Sequence, residues 1–363
     1  MRIDLRSDTV TKPTEEMRKV MATAEVGDDV YREDMTVLKL EAMAAEVTGK
    51  QAGLFVPTGT MGNQLAVLAN CERRDELICQ DNSHIYCYEC GGAAVLAGVQ
   101  IRPIPAARGI LTPEILENHW NGDDIHVPVS RLIWVENTHN RSGGTIFPLE
   151  TLKEVQTWSK EKGLKTHMDG ARIFNASVAS GVSVKDYAST VDTMMFCISK
   201  GLGAPIGSLV VGDEEFINSA RRWRKMLGGG MRQAGILAAA GIYALTHRVE
   251  RLVEDHGCAK EVAMELEKIG YELPAGLPET NIVMVQAPIG YASAATFTAK
   301  LKEEGIIVSA FGQRVIRLTT HQDVSIDLLP KIIEVFKKVQ EAYKVDMSLF
   351  NNDEKNTEPE VDT

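Results

Sequence analysis

The chain has 363 residues, enough to bury a sizeable core and to divide into a large and a smaller domain. With 44% hydrophobic and 25% charged residues its composition is that of an ordinary globular protein, and no apolar run approaches the ~20 residues of a membrane span. The 39 basic and 50 acidic residues leave a net charge of -11, which argues against nucleic acid as a partner, and the opening MRIDLRSDTVTK lacks the apolar core of a secretory signal, so a cytoplasmic location is expected.

Residues 1–34 are polar and broken by Pro13, and they read as an arm lying on something else. Its acidic end, VGDDVYRED, fits a solvated turn. From there to about residue 247, strand and helix patterns alternate, the sign of an α/β domain with a mainly parallel sheet. GLFVPTGTMGNQLAVLAN is a strand, a tight turn and a helix from about Met61. The amides of Gly59, Thr60 and Met61 then sit at a helix N-terminus, which favours a phosphate, although ordinary connections share the pattern. A strand over Glu76–Gln80 precedes His84, a position from which a histidine can stack on a flat cofactor, move a proton or simply pack. His84, Cys87 and Cys90 have ligand-like spacing, but a zinc site wants four well-spaced ligands, and no metal is expected; the six cysteines are also too unevenly spread for a disulfide scaffold. His126 lies in a polar loop without distinguishing context. LETLKEVQTWSKEKG carries Leu152, Val155 and Trp158 at helical spacing, an amphipathic cover for the sheet.

The basic stretch ARRWRKMLGGGMRQAG, with Lys225 and Arg232, fits an anion site or a solvated helix face. After a helix ending near His247, the strands NIVMVQA, GIIVSA and VIRLTTH describe a small α/β domain over residues 248–345, with Arg317 in its last strand. Residues 346–363 are polar and acidic without periodicity, so a disordered tail is expected.

Two strand ends carry chemistry. The apolar run Thr193–Ile198 ends by delivering Lys200 into a glycine-rich turn containing Gly201, Gly203 and Gly207. A desolvated lysine becomes a usable amine for Schiff-base formation. In LKTHMDGARIFNA another strand ends at Asp169, followed by Gly170 and Arg172. A lysine that can hold an aldehyde and a carboxylate that can keep a pyridine nitrogen protonated are together what a pyridoxal phosphate site needs.

The words IDLRSDTVTKPT, VGDDVY, PTGTMGNQ, HIYCYECGGAA, ENTHNRSGGTIFPLE, HMDGARIFNA, ISKGLGAPIGSLVVG, RRWRKMLGGGMRQAGILAAAG and VIRLTTH run in order from residue 3 to about 321. In them the chain resembles the L-threonine aldolases, pyridoxal-phosphate lyases of the fold-type I, aspartate-aminotransferase-like superfamily. The resemblance implies retro-aldol cleavage of L-threonine, L-allo-threonine and related β-hydroxy-α-amino acids to glycine and an aldehyde. It makes Lys200 the anchor and Asp169 the partner of the pyridine nitrogen. Gly59 and Thr60 become the phosphate cradle, and His84 stacks over the ring beside Glu89. Arg172 falls near the ring oxygen and the substrate carboxylate, which Ser7 and chiefly Arg317 also contact. Tyr31 reaches the site across a subunit interface, and Lys225 and Arg232 reach a neighbour's cofactor phosphate, implying a homo-oligomer built as a dimer of dimers. His84, His126 or a water takes the hydroxyl proton. Met35 replaces a usual proline, and Cys90 a small residue. β-Elimination, racemisation, hydroxymethyl transfer and a non-catalytic homologue are the alternatives.

Overall fold

The computed structural model describes residues 2–122 and 124–353. Its strands are β1 (Ile3–Asp4), β2 (Ala52–Val56), β3 (Glu76–Gln80), β4 (Gln100–Ile104), β5 (Ser130–Glu136), β6 (Lys165–Asp169), β7 (Thr193–Cys197), β8 (Ser208–Gly212), β9 (Ile282–Gln286), β10 (Ile306–Ile307), β11 (Ser309–Ala310) and β12 (Val315–Thr319). Seven of these form one sheet in the order β2-β8-β7-β6-β5-β3-β4. β4, β3, β5, β6 and β7 run parallel, and β8 is antiparallel to both its neighbours, giving the mixed, mainly parallel α/β sheet that the sequence implied.

Parallel neighbours need crossover helices, so both faces are covered and the strands between them are largely buried. Every residue of β7 and β8 is buried. Side-chain alternation sends Phe55, Ile133, Met168 and Phe196 to one apolar cluster and Leu54, Trp134, Met195 and Val210 to the other. The helix Leu149–Glu161 buries Leu152, Val155 and Trp158 against the first, as its spacing indicated.

β9, β12 and β11 form an antiparallel sheet over a further cluster that includes Val262, Phe297, Leu318 and Phe336. The start of the chain belongs to this layer. β1 pairs with β10, Leu5 O accepts from Thr319 N at 2.8 Å, and Ile3 and Leu5 join the same cluster. Residues 3–6 thus lie on this layer as part of its packing. The alternation Ile3, Leu5 marks a short inserted strand, too brief to stand out among polar neighbours. Beyond it, the helix Glu15–Ala22 packs on the helix Gly235–His247, so the stretch between crosses from the C-terminal layer to the large sheet.

The final helix spans Leu329–Asp353. Its last turns correct the tail expected from residue 346, because Ala342, Val345 and Leu349 continue the helical spacing and elongating a formed helix is cheap. Residues 354–363 of that tail lie outside the described residues. No helix among the described residues is long and apolar enough to cross a membrane.

Candidate active site

Parallel pairing sets Glu136 beside Asp169 and Asp169 beside Met195, so β5, β6 and β7 end along one edge of the sheet. Loops diverging from such an edge leave a crevice. Here it is a cavity of about 540 Å3 whose lining includes Lys200, Asp169, His84, Gly59, Arg172 and Arg317. Asp169 is buried, its Oδ2 accepting from Asn63 Nδ2 at 2.8 Å and its Oδ1 from Ala171 N at 3.0 Å. Lys200 is half-buried, and among the described residues no hydrogen bond or ion pair ties its ammonium. The turn after it depends on Gly207, which has φ of +110° and whose added Cβ would stand 2.5 Å from the Phe55 ring.

The helix facing the cavity begins at Gly59, earlier than Met61. Thr58 caps it, and its hydroxyl takes the Met61 amide at 3.1 Å. The expected cradle of three amides is thereby reduced to those of Gly59 and Thr60, which no group binds among the described residues. A Cβ on Gly59 would lie 3.0 Å from Cys197 Sγ, a tight contact that the side chain of Cys197 would have to yield to.

His84 belongs to a chain of hydrogen bonds reaching Asp169. Its Nδ1 is 2.9 Å from Glu89 Oε1, the same oxygen accepts from Asn63 Nδ2 at 2.7 Å, and Gln64 Nε2 donates to Glu89 Oε2 at 2.7 Å. Burial opposes a charged ring, yet the Glu89 hydrogen bond and the Asp169 and Glu136 carboxylates hold the His84 pKa above its ordinary 6.5. Nδ1 is therefore the donor to Glu89. His84, Glu89 and Asp169 offer ligand atoms within 4.8 Å of one another, but His84, Asn63 and Gln64 already satisfy those carboxylates, and Cys87 and Cys90 are exposed. Glu136 accepts the amides of His84 at 2.8 Å and Asn140 at 2.9 Å, fixing both loops at the rim.

Two buried arginines differ in kind. Arg172 gives Nε and Nη2 to the two oxygens of Asp8, each at 2.7 Å. Burial works against both charges, but the pairing holds the Asp8 carboxyl well below the usual range and the Arg172 guanidinium above its own. Arg317 donates to Asn140 Oδ1 at 2.6 Å and to Arg6 O at 2.9 Å, and stacks 4.7 Å from the centre of the Phe311 ring. It has no carboxylate partner among the described residues, and its buried Nε is unbonded. Burial first, then the charge of Arg172, pushes its pKa down to about 10.

Ser7 lines the same cavity and accepts from Thr9 N at 3.2 Å. Tyr31, His126, Lys225 and Arg232 do not line it. Tyr31 is 72% exposed, the exposed His126 bonds Asp124, Lys225 is exposed, and Arg232 pairs at the surface with Asp28 at 2.9 Å. Sequence reasoning passed over Asp8, Asn63, Glu136, Tyr88 and Phe311, all of which touch the cavity or its bonded shell. Glu136 had a signal, since it ends an apolar strand as Asp169 does, and Asn63 had one as a polar residue in the apolar run of its helix.

A family model described as beta-eliminating lyase matches residues 4–289. The low specificity L-threonine aldolase of Escherichia coli K12 is 46% identical over 331 residues, covering 91% of this chain and 97% of that protein. The chain belongs to the threonine aldolase family. Among its other relatives is the alanine racemase TOXG of Cochliobolus carbonum, 34% identical over 352 residues, 94% of this chain and 88% of that one. The solved threonine aldolase of Leishmania major shares the fold with a TM-score of 0.80 at 20% identity, over 93% of this chain and 99% of that one.

The aldolase chain is thus a fold-type I lyase with pyridoxal 5'-phosphate as its cofactor, and its cavity fits that group. An unengaged lysine amine, a buried carboxylate, two free amides at a helix start and a histidine converge on one space of sufficient size.

Proposed function

We propose that this aldolase cleaves L-threonine, L-allo-threonine and related β-hydroxy-α-amino acids to glycine and an aldehyde in the cavity below Lys200. The observation that carries the reading is the buried Arg317, which lacks a carboxylate partner among the described residues and shares one cavity with Lys200 and Asp169. A buried guanidinium is costly without an anion, so the site is built to receive one. A substrate carboxylate supplies it, held by two N–H groups in a fork.

Pyridoxal phosphate, when bound, supplies an electron sink for the pair released at the substrate α-carbon. Lys200 would provide the amine that holds its aldehyde. Asp169, fixed by Asn63 and the Ala171 amide, would hold a proton at the pyridine nitrogen. Gly59 and Thr60 offer their amides to the phosphate. Arg317, with Ser7 lining the same cavity, would hold the substrate carboxylate and so fix the direction of the Cα–Cβ bond. As that bond breaks, the hydroxyl proton leaves and the Cβ–O bond becomes a carbonyl. We assign this proton to His84, directly or through a water, because His84 lines the cavity and His126 of the same chain does not.

Tyr31, Lys225 and Arg232 would serve a partner subunit's cavity in a homo-oligomer, a dimer of dimers. The surface pair of Arg232 with Asp28 is weak enough to exchange for a phosphate. A cytoplasmic enzyme of glycine formation and threonine breakdown, with an arm, a large domain over 35–247 and a small domain over 248–345, completes the reading. The racemase relative supports racemisation as a second reading. Incubation with L-threonine and L-allo-threonine decides. Equal release of glycine and acetaldehyde supports aldol cleavage, and interconversion of alanine enantiomers without acetaldehyde supports the racemase.

A further inference from the structure

Tyr88 and Phe311 form an aromatic stretch of the cavity lining, with ring centres 6.5 Å apart and planes 19° from parallel. Arg141 covers both rings. Its guanidinium carbon is 4.9 Å from the centre of the Phe311 ring and 5.9 Å from that of Tyr88, and its Nη1 donates to the Tyr88 hydroxyl. The same arginine, with Asn82, Met284, Val315 and Phe311, lines a second hollow of about 350 Å3. Phe311 is thus common to both spaces, and Arg141 reaches from the hollow to the lining of the cavity. The two arginines of this hollow differ. Arg108 is ion-paired with Glu279, whereas the half-buried Arg141 has no carboxylate partner among the described residues. A cation partly withdrawn from water and held by a hydroxyl and two ring faces keeps N–H donors for an anion.

We propose that this hollow is a subsite for the Cβ substituent of the substrate, and that Arg141 recognises an acidic group at its far end. The chain then takes β-hydroxy-α-amino acids bearing a distal carboxylate as well as threonine. The proposal rests on the aldolase reading of the cavity, which places the α-amino and α-carboxylate ends at Lys200 and the two buried arginines and leaves the Cβ substituent to the remaining wall. The methyl group of threonine leaves an aromatic wall and a hollow of this size unused. A longer substituent lies along the Tyr88 and Phe311 rings and against Met284 and Val315, and its terminal carboxylate meets the Arg141 guanidinium where both are partly desolvated. An uncharged substituent of the same length gains the apolar contacts without the charge-assisted bond, so the acidic one is preferred.

The test is calorimetric titration of the holoenzyme with L-4-carboxyphenylalanine and L-4-carbamoylphenylalanine, which match in shape, differ in charge and, lacking a β-hydroxyl, cannot undergo aldol cleavage. The carboxylate should bind about tenfold more tightly than the amide, the worth of one charge-assisted hydrogen bond. Arg141→Gln should bring the two affinities together, and because the ligands are compared within one protein, a general weakening of the site cancels. Arg108→Gln, at the arginine already engaged by Glu279, should leave the ratio as it was. Equal affinities in the unaltered protein, a ratio that survives Arg141→Gln, or a ratio lost in Arg108→Gln alone overturns the proposal. If Arg141→Gln does not fold, phenylglyoxal modification of the unaltered holoenzyme with peptide mapping decides. The carboxylate ligand should then protect Arg141 more than the amide does at equal occupancy, and equal protection refutes the subsite. Titration needs no turnover, so a protein that shows the expected ratio yet releases no acetaldehyde from threonine contradicts the aldolase reading and leaves the subsite standing.

Discussion

The floor and the wall of the cavity are built by different means. The floor, Asp169 with Glu136 beside it and Lys200 beyond β7, is set by strand register. The backbone places these groups, and their spacing varies little once the strands pair. The wall, Arg172 with Asp8 and Arg317 with Asn140 and Arg6, is assembled from segments far apart in sequence, joined through side chains. The floor should therefore tolerate loss of a side chain without rearrangement, leaving chemistry as the casualty. Damage to the wall should spread through binding and stability.

Lys200→Ala should show the largest effect, a kcat loss of at least ~10^3-fold with melting temperature nearly unchanged and no internal-aldimine absorption band after pyridoxal phosphate is added. A surviving band of full intensity would move the anchor elsewhere. On the wall, Arg317→Ala should raise KM for threonine about a hundredfold, with a smaller change in kcat, because two charge-assisted bonds are lost in ground and transition states alike. Steady-state kinetics with an unchanged KM would detach Arg317 from the carboxylate.

A subtler separation concerns protons. Glu89→Gln removes a charge and hydrogen bond that raise the His84 pKa, so the limb of the kcat/KM pH profile due to His84 should move to lower pH. A stationary limb would mean that the profile reports another group.

The smallest effect lies beneath the floor. His167, fully buried in β6 against Trp134, is kept neutral, its pKa pushed by burial from 6.5 down to about 3. The unfolded chain binds a proton there that the folded chain refuses, so the stability it lends is complete above pH 6.5 and lost as pH falls toward 3. In His167→Gln, denaturant melts between those limits should show a shallower pH dependence, by up to one proton's worth of slope. An identical slope would assign the acid sensitivity to other groups, such as His256, also depressed by burial, to about 4.

The same contrast governs what could be read from the sequence. Asp169 and Lys200 were legible because an apolar run followed by a polar residue and glycine marks a strand end, and strand ends meet in a parallel sheet. Glu136, after the apolar run of RLIWVEN, carried the first half of that signal without the glycine. The helix start at Gly59 was misplaced because the capping role of Thr58 was not weighed, and with it the fate of the Met61 amide. Asp8 was not legible at all. Nothing in LRSDTVT tells that its aspartate will pair with an arginine in the distant MDGARIF, since only the inserted strand Ile3–Asp4 brings the two together. Tyr88 and Phe311 likewise meet, with ring centres 6.5 Å apart, only because the C-terminal layer folds over the rim.

Reduction of the holoenzyme with borohydride, followed by peptide mapping, tests the central assignment most directly. Reduction fixes the cofactor to whichever amine holds it. The expected result is a single pyridoxyl label on Lys200, in the peptide containing ISKGLGAPIG. A label on Lys225, Lys12 or any other lysine would show that the cavity at the ends of β5, β6 and β7 is not where the cofactor is anchored.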